Sequence, residues 1–233
     1  SLDFKKRAKE KIIVPIWDSP EQANEEGYDY PEGALAKWQV DTGTGVYAGV
    51  VNFDFFIWFY NGEMFEQEGW SEPTTWQELL DLIDAIKASG RVPMSMSSKG
   101  TGQTSQIVND LLMRVTGDPE IARHIIEQTD GRTNWTGDEE IRTAFEYAHE
   151  LVEHDLAGGT SWLAQDYAGA RGLFVNGEVP LLYFGSWEYM MIADDQLPQS
   201  FRDNLDFFLT PAVPGGKGDT TLLSGYYGCG FAV

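Results

Sequence analysis

The chain has 233 residues, which is enough to bury a hydrophobic core in one large domain or two small ones. Its 37 acidic and 16 basic residues give a net charge of −21. This balance argues against nucleic acid or an anionic membrane surface as a partner, because both require a basic surface. Hydrophobic residues make up 42% of the chain, which argues against disorder. The one cysteine, Cys229, excludes an intrachain disulfide and a cysteine-clustered metal site.

The stretch 46–60 (VYAGVVNFDFFIWFY) is rich in β-branched and aromatic residues. This composition predicts either a buried strand or a strand with a bend near Asn52. Asn52 and Asp54 are polar interruptions of an otherwise apolar strand, and such interruptions mark candidate binding residues.

A helix is predicted after Pro73. Thr75 and Glu78 have the spacing of a capping box, in which each side chain accepts a hydrogen bond from the other residue's backbone amide. Apolar residues then recur at helical spacing, and Gly90 is expected to end the helix in a left-handed conformation.

Helices and strands alternate through the rest of the chain. Helices are predicted at 105–115, 119–128, after Thr136 or Asp138, at 164–176 and after Ser186, and strands at 91–96, 179–184 and 205–209 and at the end of the sequence. Pro180 lacks a backbone N–H, so it is expected at a strand start or at a sheet edge. The alternation predicts a layered α/β fold. The final segment, GYYGCGFAV, resembles a strand that stops in mid-pattern, from which we expect an internal segment of a longer protein.

Catalytic and metal-binding motifs are weak in this sequence. The glycine-rich loops at 99–104 and 215–218 lack the spacing of a phosphate-binding loop. His149 and His154 are five residues apart, so they do not share a helix face as a zinc pair would. What remains is a set of aromatic and polar residues at the ends of elements. A flat ring beside amide and carboxylate groups suits a sugar, although a single aromatic residue more often fills a core.

Three stretches in order resemble the extracellular solute-binding proteins of carbohydrate ABC importers, the family that includes maltose-binding protein. They are the strand and helix of 46–90, the stretch DYAGARGLFVNGEVPLLYFGSWE, and PAVPGGKG followed by SGYYGCGFAV. The second is similar to the family's pattern that ends in Gly-Ser-Trp. The order of the three is more specific than any one of them.

The resemblance implies an α/β, periplasmic-binding-protein-like fold of two lobes that close on a ligand by hinge motion. It implies that 1–56 form part of the first lobe and a hinge strand, 57–223 the second lobe, and 224–233 a returning hinge strand. It further implies a monomeric, non-enzymatic receptor without cofactors that delivers a sugar to ABC permease subunits. Such a receptor is extracytoplasmic, either periplasmic or lipid-anchored at the cell surface.

Family positions carried over residue by residue suggest the binding site. Asn52 and Asp54 match ligand-contacting positions, and Trp187 matches the stacking aromatic residue. The predicted ligand-binding residues are Asn52, Asp54, Gln103, Thr104, Trp187, Glu188, Tyr226 and Tyr227. A metal site is not expected.

Two alternatives remain open. A carbohydrate-active hydrolase would use Asp54 and Glu188 as its pair of carboxyl groups. The other alternative is a binding protein for a non-sugar solute such as a polyol, a peptide or a metal chelate, although the lack of clustered arginine or histidine disfavours anions and metals.

Overall fold

The computed structural model describes residues 2–31, 34–35, 38–39, 45–50, 52–99, 103–127, 137–159, 161–227 and 230–231. For residues 2–5, 103, 161, 192, 226–227 and 230–231 the description covers the backbone alone. The chain divides into two compact units. Unit 1 comprises Ser1–Asp54 and Gly225–Val233, and unit 2 comprises Phe55–Ser224.

The described part of unit 1 contains short elements around a small aromatic core. Its helices and strands are α1 (Leu2–Lys9), α2 (Pro20–Glu25), β1 (Gly49–Val50), β6 (Gly225–Tyr227) and β7 (Gly230–Phe231). Strands β1 and β7 pair antiparallel. The core residue Trp17 is buried, meets the ring of Tyr28 edge-on at 5.0 Å between centroids, and donates its indole N–H to Glu26 at 3.0 Å.

Unit 2 is built on a mixed sheet covered by helices. The remaining strands are β2 (Phe53–Asn61), β3 (Met94–Ser95), β4 (Leu181–Gly185) and β5 (Leu205–Phe208), in the order β3-β4-β2-β5. The helices are α3 (Gly62–Glu68), α4 (Trp76–Ala88), α5 (Gln103–Thr116), α6 (Ile121–Glu127), α7 (Glu139–Glu153), α8 (Tyr167–Val175) and α9 (Gln199–Asp203). Two 3₁₀-helices span Ser161–Ala164 and Ser186–Ala193. Strand β2 is antiparallel to β4 and β5, and β3 is parallel to β4.

Strand β2 contributes to hydrophobic cores on both faces of this sheet. Because successive side chains of a strand point to opposite faces, Phe56 and Trp58 pack into one cluster and Ile57 and Phe59 into another. All four are at most 5% exposed. Burial on both faces explains why this strand is a nearly continuous apolar run.

Helix α4 confirms the prediction from its capping box. Thr75 Oγ1 accepts a hydrogen bond from the backbone N–H of Glu78, and the Glu78 carboxylate accepts one from the backbone N–H of Thr75. Hydrogen bonds from Thr74 and Thr75 lower the pKa of Glu78. Gly90 follows the helix with φ of +87°, as expected.

Other predicted elements and boundaries compare with the structure as follows. The stretch 46–60 contains two strands, Gly49–Val50 and Phe53–Asn61, which favours the alternative of a strand interrupted near Asn52 over one continuous strand. Pro180 lies just before β4, where no N–H is required, and its carbonyl accepts from the N–H of Asn61. Of the two proposed caps of α7, Asp138 occupies the N-cap position, whereas Thr136 lies outside the described residues. The helix expected after Ser186 is a 3₁₀-helix.

A buried polar network, which the sequence did not predict, links α5 to the sheet. The Asp110 carboxylate accepts hydrogen bonds from Tyr183 at 2.8 Å and from Thr210 at 2.6 Å, and the Thr210 hydroxyl accepts from the indole of Trp58 at 2.9 Å. Arg114 donates to the carbonyl of Thr210 at 2.9 Å. Burial raises the pKa of Asp110 to about 6, against the opposing hydrogen bonds and the nearby Arg114 charge.

Candidate functional site

The indole of Trp187 lies at the end of strand β4, at the start of the second 3₁₀-helix. It passes so close to Gly185 that a Cβ atom there would lie 2.0 Å from Cζ3 of the indole. The ring of Phe56 meets the indole edge-on, with centroids 5.6 Å apart and planes at 83°. Trp187 is partly exposed, so the end of a buried strand presents an aromatic ring at the surface of unit 2.

Hydrogen bonds connect Trp187 to the start of helix α8. The indole N–H donates to the hydroxyl oxygen of Tyr167 at 3.0 Å. The Tyr167 hydroxyl in turn donates to Glu188 Oε1, and Arg171 Nε donates to Glu188 Oε2 at 3.0 Å. Arg171 also lies 3.5 Å from a carboxylate oxygen of Asp194. The neighbour of Trp187 in sequence, Glu188, is thus engaged through both of its oxygens.

Glu188 is a buried acidic group beside a partly exposed aromatic residue. Its side chain is 3% exposed, and burial raises its pKa to about 7. A carboxyl group with such a pKa changes protonation near neutral pH. Because both of its oxygens are engaged, Glu188 is better suited to holding Trp187 than to contacting a ligand. The ligand contact predicted for Glu188 stays a prediction.

Asn52 and Asp54 are brought together within unit 1. The Asn52 amide donates to Asp54 Oδ2 at 2.6 Å. Asn52 is half-buried, and Asp54 is 8% exposed. The contact fixes the orientation of both polar groups at the start of β2.

Thr104, near the start of helix α5, lies beside a mostly apolar pocket of unit 2. Its hydroxyl is hydrogen-bonded to that of Ser98. It lines this pocket together with Met96, Ile107 and Trp162. Thr104 therefore contributes a hydroxyl group to the lining of a mostly apolar pocket.

The other predicted site residues can be placed only by their backbones. Gln103 begins helix α5, and Tyr226 and Tyr227 lie in β6, but their side chains are outside the described residues. Their contacts with a ligand stay predictions.

Tyr167 and Arg171 were not predicted as site residues. They are four positions apart, at the first and fifth residues of α8, so they project from the same side of the helix. A single arginine within the apolar run YAGARGLFV was the available signal, since a charge on such a helix requires a partner.

Within the described ranges, no cluster of three or more His, Cys, Asp or Glu side chains is arranged to hold a metal ion. A search of the same residues finds no helix with the length and hydrophobicity needed to cross a membrane.

Comparison with known proteins relates the chain to sugar-binding proteins. A probable sugar-binding periplasmic protein of Mesorhizobium japonicum is 24% identical over 172 residues, or 73% of this chain. The solved structure of a chitin oligosaccharide binding protein is 26% identical, covers 98% of this chain and has a TM-score of 0.75. The raffinose complex of RafE is 20% identical over 97% of the chain, with a TM-score of 0.70. These likenesses confirm the predicted α/β fold of the periplasmic-binding-protein type.

The chain spans 39% of the Mesorhizobium protein and 54 and 55% of the two solved chains. The family model described as "Bacterial extracellular solute-binding protein" matches residues 7–232. This match covers nearly the whole sequence and agrees with the three resembling stretches. The chain therefore belongs to the bacterial extracellular solute-binding protein family.

Proposed function

We propose that the protein is an extracytoplasmic receptor that captures a sugar or oligosaccharide. The observation that carries this proposal is the partly exposed indole of Trp187, which Gly185, Phe56 and Tyr167 hold in one orientation. A flat ring held in this way can pack against the C–H face of a sugar ring. The likeness to a chitin oligosaccharide binding protein, at 26% identity over 98% of the chain, supports a carbohydrate ligand.

Polar groups within each unit are proposed as further sugar contacts. The hydrogen bond from Asn52 holds the Asp54 carboxylate in one orientation. A carboxylate held in this way can accept hydrogen bonds from sugar hydroxyls. The remaining proposed contacts are Gln103, Thr104, Tyr226 and Tyr227. Each residue type offers a donor or an acceptor of the kind that sugar hydroxyls require.

Family membership supports the cellular context of the proposal. The receptor binds its ligand as a monomer, without catalysis, in the periplasm or from a lipid anchor at the cell surface. It delivers the ligand to the membrane subunits of an ABC importer. The units Ser1–Asp54 with Gly225–Val233, and Phe55–Ser224, correspond in this proposal to part of the first lobe with its hinge strands and to the second lobe.

A carbohydrate-active hydrolase is the second candidate, because one observation favours it. Burial raises the pKa of Glu188 to about 7, a value suited to a general acid. Against it, Tyr167 and Arg171 occupy both oxygens of a carboxyl group that is 3% exposed. A hydrolase predicts turnover that Asp54→Asn abolishes, whereas a receptor predicts binding without turnover.

Titration calorimetry of the full-length protein tests the proposal. The ligands are oligosaccharides of chitin and xylan, raffinose and maltose, and a panel of non-sugar solutes serves for comparison. We expect at least one sugar to bind without being cleaved. Tight binding of an unrelated solute, with no binding of any sugar, would remove the carbohydrate proposal.

A matched pair of variants tests the role of Trp187. Trp70 is also partly exposed and meets Phe65 edge-on at 5.7 Å and 85°, nearly the geometry of Trp187 on Phe56. We expect Trp187→Ala to weaken sugar binding about tenfold or more, because stacking area is lost. Trp70→Ala should leave the affinity unchanged, and equal losses in both variants would contradict a specific role for Trp187.

A further inference from the structure

The indole N–H of Trp187 is already engaged inside the protein. It donates to the Tyr167 hydroxyl, which donates to Glu188, which accepts from Arg171, and Arg171 also faces Asp194. We refer to these five residues as the Trp187 chain. Because the only polar atom of the indole is occupied, Trp187 presents its ring, rather than a hydrogen bond, to a ligand.

The Trp187 chain joins two elements. Tyr167 and Arg171 lie at the start of α8, whose N-cap Asp166 accepts from the N–H of Gly169 at 2.9 Å. Glu188 directly follows Trp187 in the 3₁₀-helix. Hydrogen bonds therefore link the indole to the first turn of α8 and to one carboxyl group.

The Glu188 carboxyl group is the titratable member near neutral pH. The groups that face it are Tyr167 and Arg171 from α8, and Asp194, at the end of its own 3₁₀-helix, acts through Arg171. Burial raises the pKa of Glu188 to about 7. Above this pH the carboxylate accepts charge-assisted hydrogen bonds, and below it protonation weakens them.

We propose that Tyr167 and Glu188 are positioning residues that hold the Trp187 indole, and that through them the affinity of the site for a sugar falls as the solution becomes acidic. The sugar in this inference rests on the proposed function, whereas the coupling of Glu188 to Trp187 does not. The inference assigns Glu188 a role through Trp187 instead of through ligand contact.

Nuclear magnetic resonance of the ligand-free full chain tests the coupling alone. The indole ¹H–¹⁵N resonance of Trp187 is identified as the one that Trp187→Phe removes. Between about pH 5.5 and pH 8.5 we expect it to shift with a midpoint near 7 in the unaltered protein and to stay fixed in Glu188→Gln. Tyr167→Phe should move this resonance at every pH, because the indole loses its acceptor.

The protein offers a control for the glutamate substitution. Glu150 accepts a hydrogen bond directly from the indole of Trp76 at 2.6 Å, so it pairs a carboxylate with a different tryptophan. Glu150→Gln should leave the Trp187 resonance and its titration unchanged. A Trp187 resonance that does not titrate in the unaltered protein, or that still titrates in Glu188→Gln, would overturn the proposed coupling.

Calorimetry with whichever sugar of the panel binds then tests the consequence for affinity. We expect Tyr167→Phe to weaken binding about tenfold. The unaltered protein should bind at least about threefold more weakly at pH 5.5 than at pH 8.5, and Glu188→Gln should remove this difference. The control is Tyr147→Phe, because Tyr147 of α7 donates its hydroxyl to the carbonyl of Pro214. This variant should bind the sugar normally.

The outcomes separate the two proposals. If no sugar binds but the Trp187 resonance titrates as expected, the proposed function fails and the coupling stands. If a sugar binds and neither Tyr167→Phe nor Glu188→Gln changes its affinity or its pH profile, the positioning role is wrong and the receptor remains.

Discussion

The contact between Trp187 and Gly185 explains why position 185 has no side chain. Gly185 has φ of −74°, which any residue can adopt, so its backbone conformation does not require glycine. The requirement is steric, because Cζ3, Cη2 and Cε3 of the indole lie within 2.3 Å of the position a Cβ would take. The glycine allows the ring to pack closely against the end of β4.

Gly185→Ala should therefore destabilise the protein by about 1–3 kcal/mol, the usual cost of forcing an extra carbon into a packed site. Gly172→Ala, within α8, is the control, since its Cβ meets no atom within 4 Å and alanine favours helices. Urea unfolding measures both. A Gly185→Ala variant as stable as the unaltered protein would show that the indole has another place to go.

Asp110 predicts a pH dependence of stability. Its folded pKa of about 6 lies above the ordinary value of 3.8, so its stabilising contribution is complete below 3.8 and is lost as the pH rises through 6. As the pH is lowered from 7 to 4, the free energy of unfolding of the unaltered protein should therefore rise by up to about 3 kcal/mol relative to that of Asp110→Asn. Urea unfolding at several pH values measures this difference.

The control for Asp110 is a carboxylate with the opposite shift. Hydrogen bonds from Thr221 lower the pKa of Asp219, so the stabilisation from Asp219 is present above its ordinary pKa and is lost as the pH falls. As the pH is lowered, the free energy of unfolding of the unaltered protein should thus fall relative to that of Asp219→Asn. A constant difference between the unaltered protein and Asp110→Asn across this range would contradict the burial argument.

At the scale of elements, helix α4 shows how one local motif fixes a helix start. The capping box at Thr75 and Glu78 satisfies amide groups that would otherwise lack partners. The apolar face that follows buries Leu79, Ile83 and Ile86 completely or nearly so. Cap and apolar face agree, so the helix begins at one defined residue.

Thr75→Ala should cost about 1 kcal/mol of stability, because the N–H of Glu78 loses its acceptor. Thr75→Ser keeps the hydroxyl and should cost much less. Urea unfolding of the two variants separates the cap from the packing of the methyl group. Equal losses would show that the methyl group, and not the hydrogen bond, matters at this position.

Elements with local signals were predictable from the sequence, and contacts between distant residues were not. The start of helix α4 follows from its capping box, and the position of Pro180 follows from the missing proline N–H. The link between Tyr167 and Glu188 joins residues 21 positions apart, and the one between Asp110 and Thr210 joins residues 100 positions apart. Neither has a local signature, because each depends on how α5 and α8 pack on the sheet.

At the scale of the whole molecule, the surplus of acidic residues is the dominant electrostatic feature. With a net charge of −21, folding brings the surplus negative charges closer together, so their mutual repulsion destabilises the folded state. Exposed ion pairs such as Lys6–Glu10 and Arg142–Glu139 oppose it locally. Such pairs contribute about 0–1 kcal/mol each, so the repulsion should exceed them.

We therefore expect the melting temperature at about pH 7.5 to rise when NaCl is increased from about 10 mM to about 0.3 M, since the screening length falls from about 30 Å to below 10 Å. Near the sequence isoelectric point of about 4.3 the net charge is small, and the same salt step should have little effect. Differential scanning calorimetry measures both. A melting temperature that falls with salt at pH 7.5 would mean that attractive ion pairs outweigh the repulsion among the surplus carboxylates.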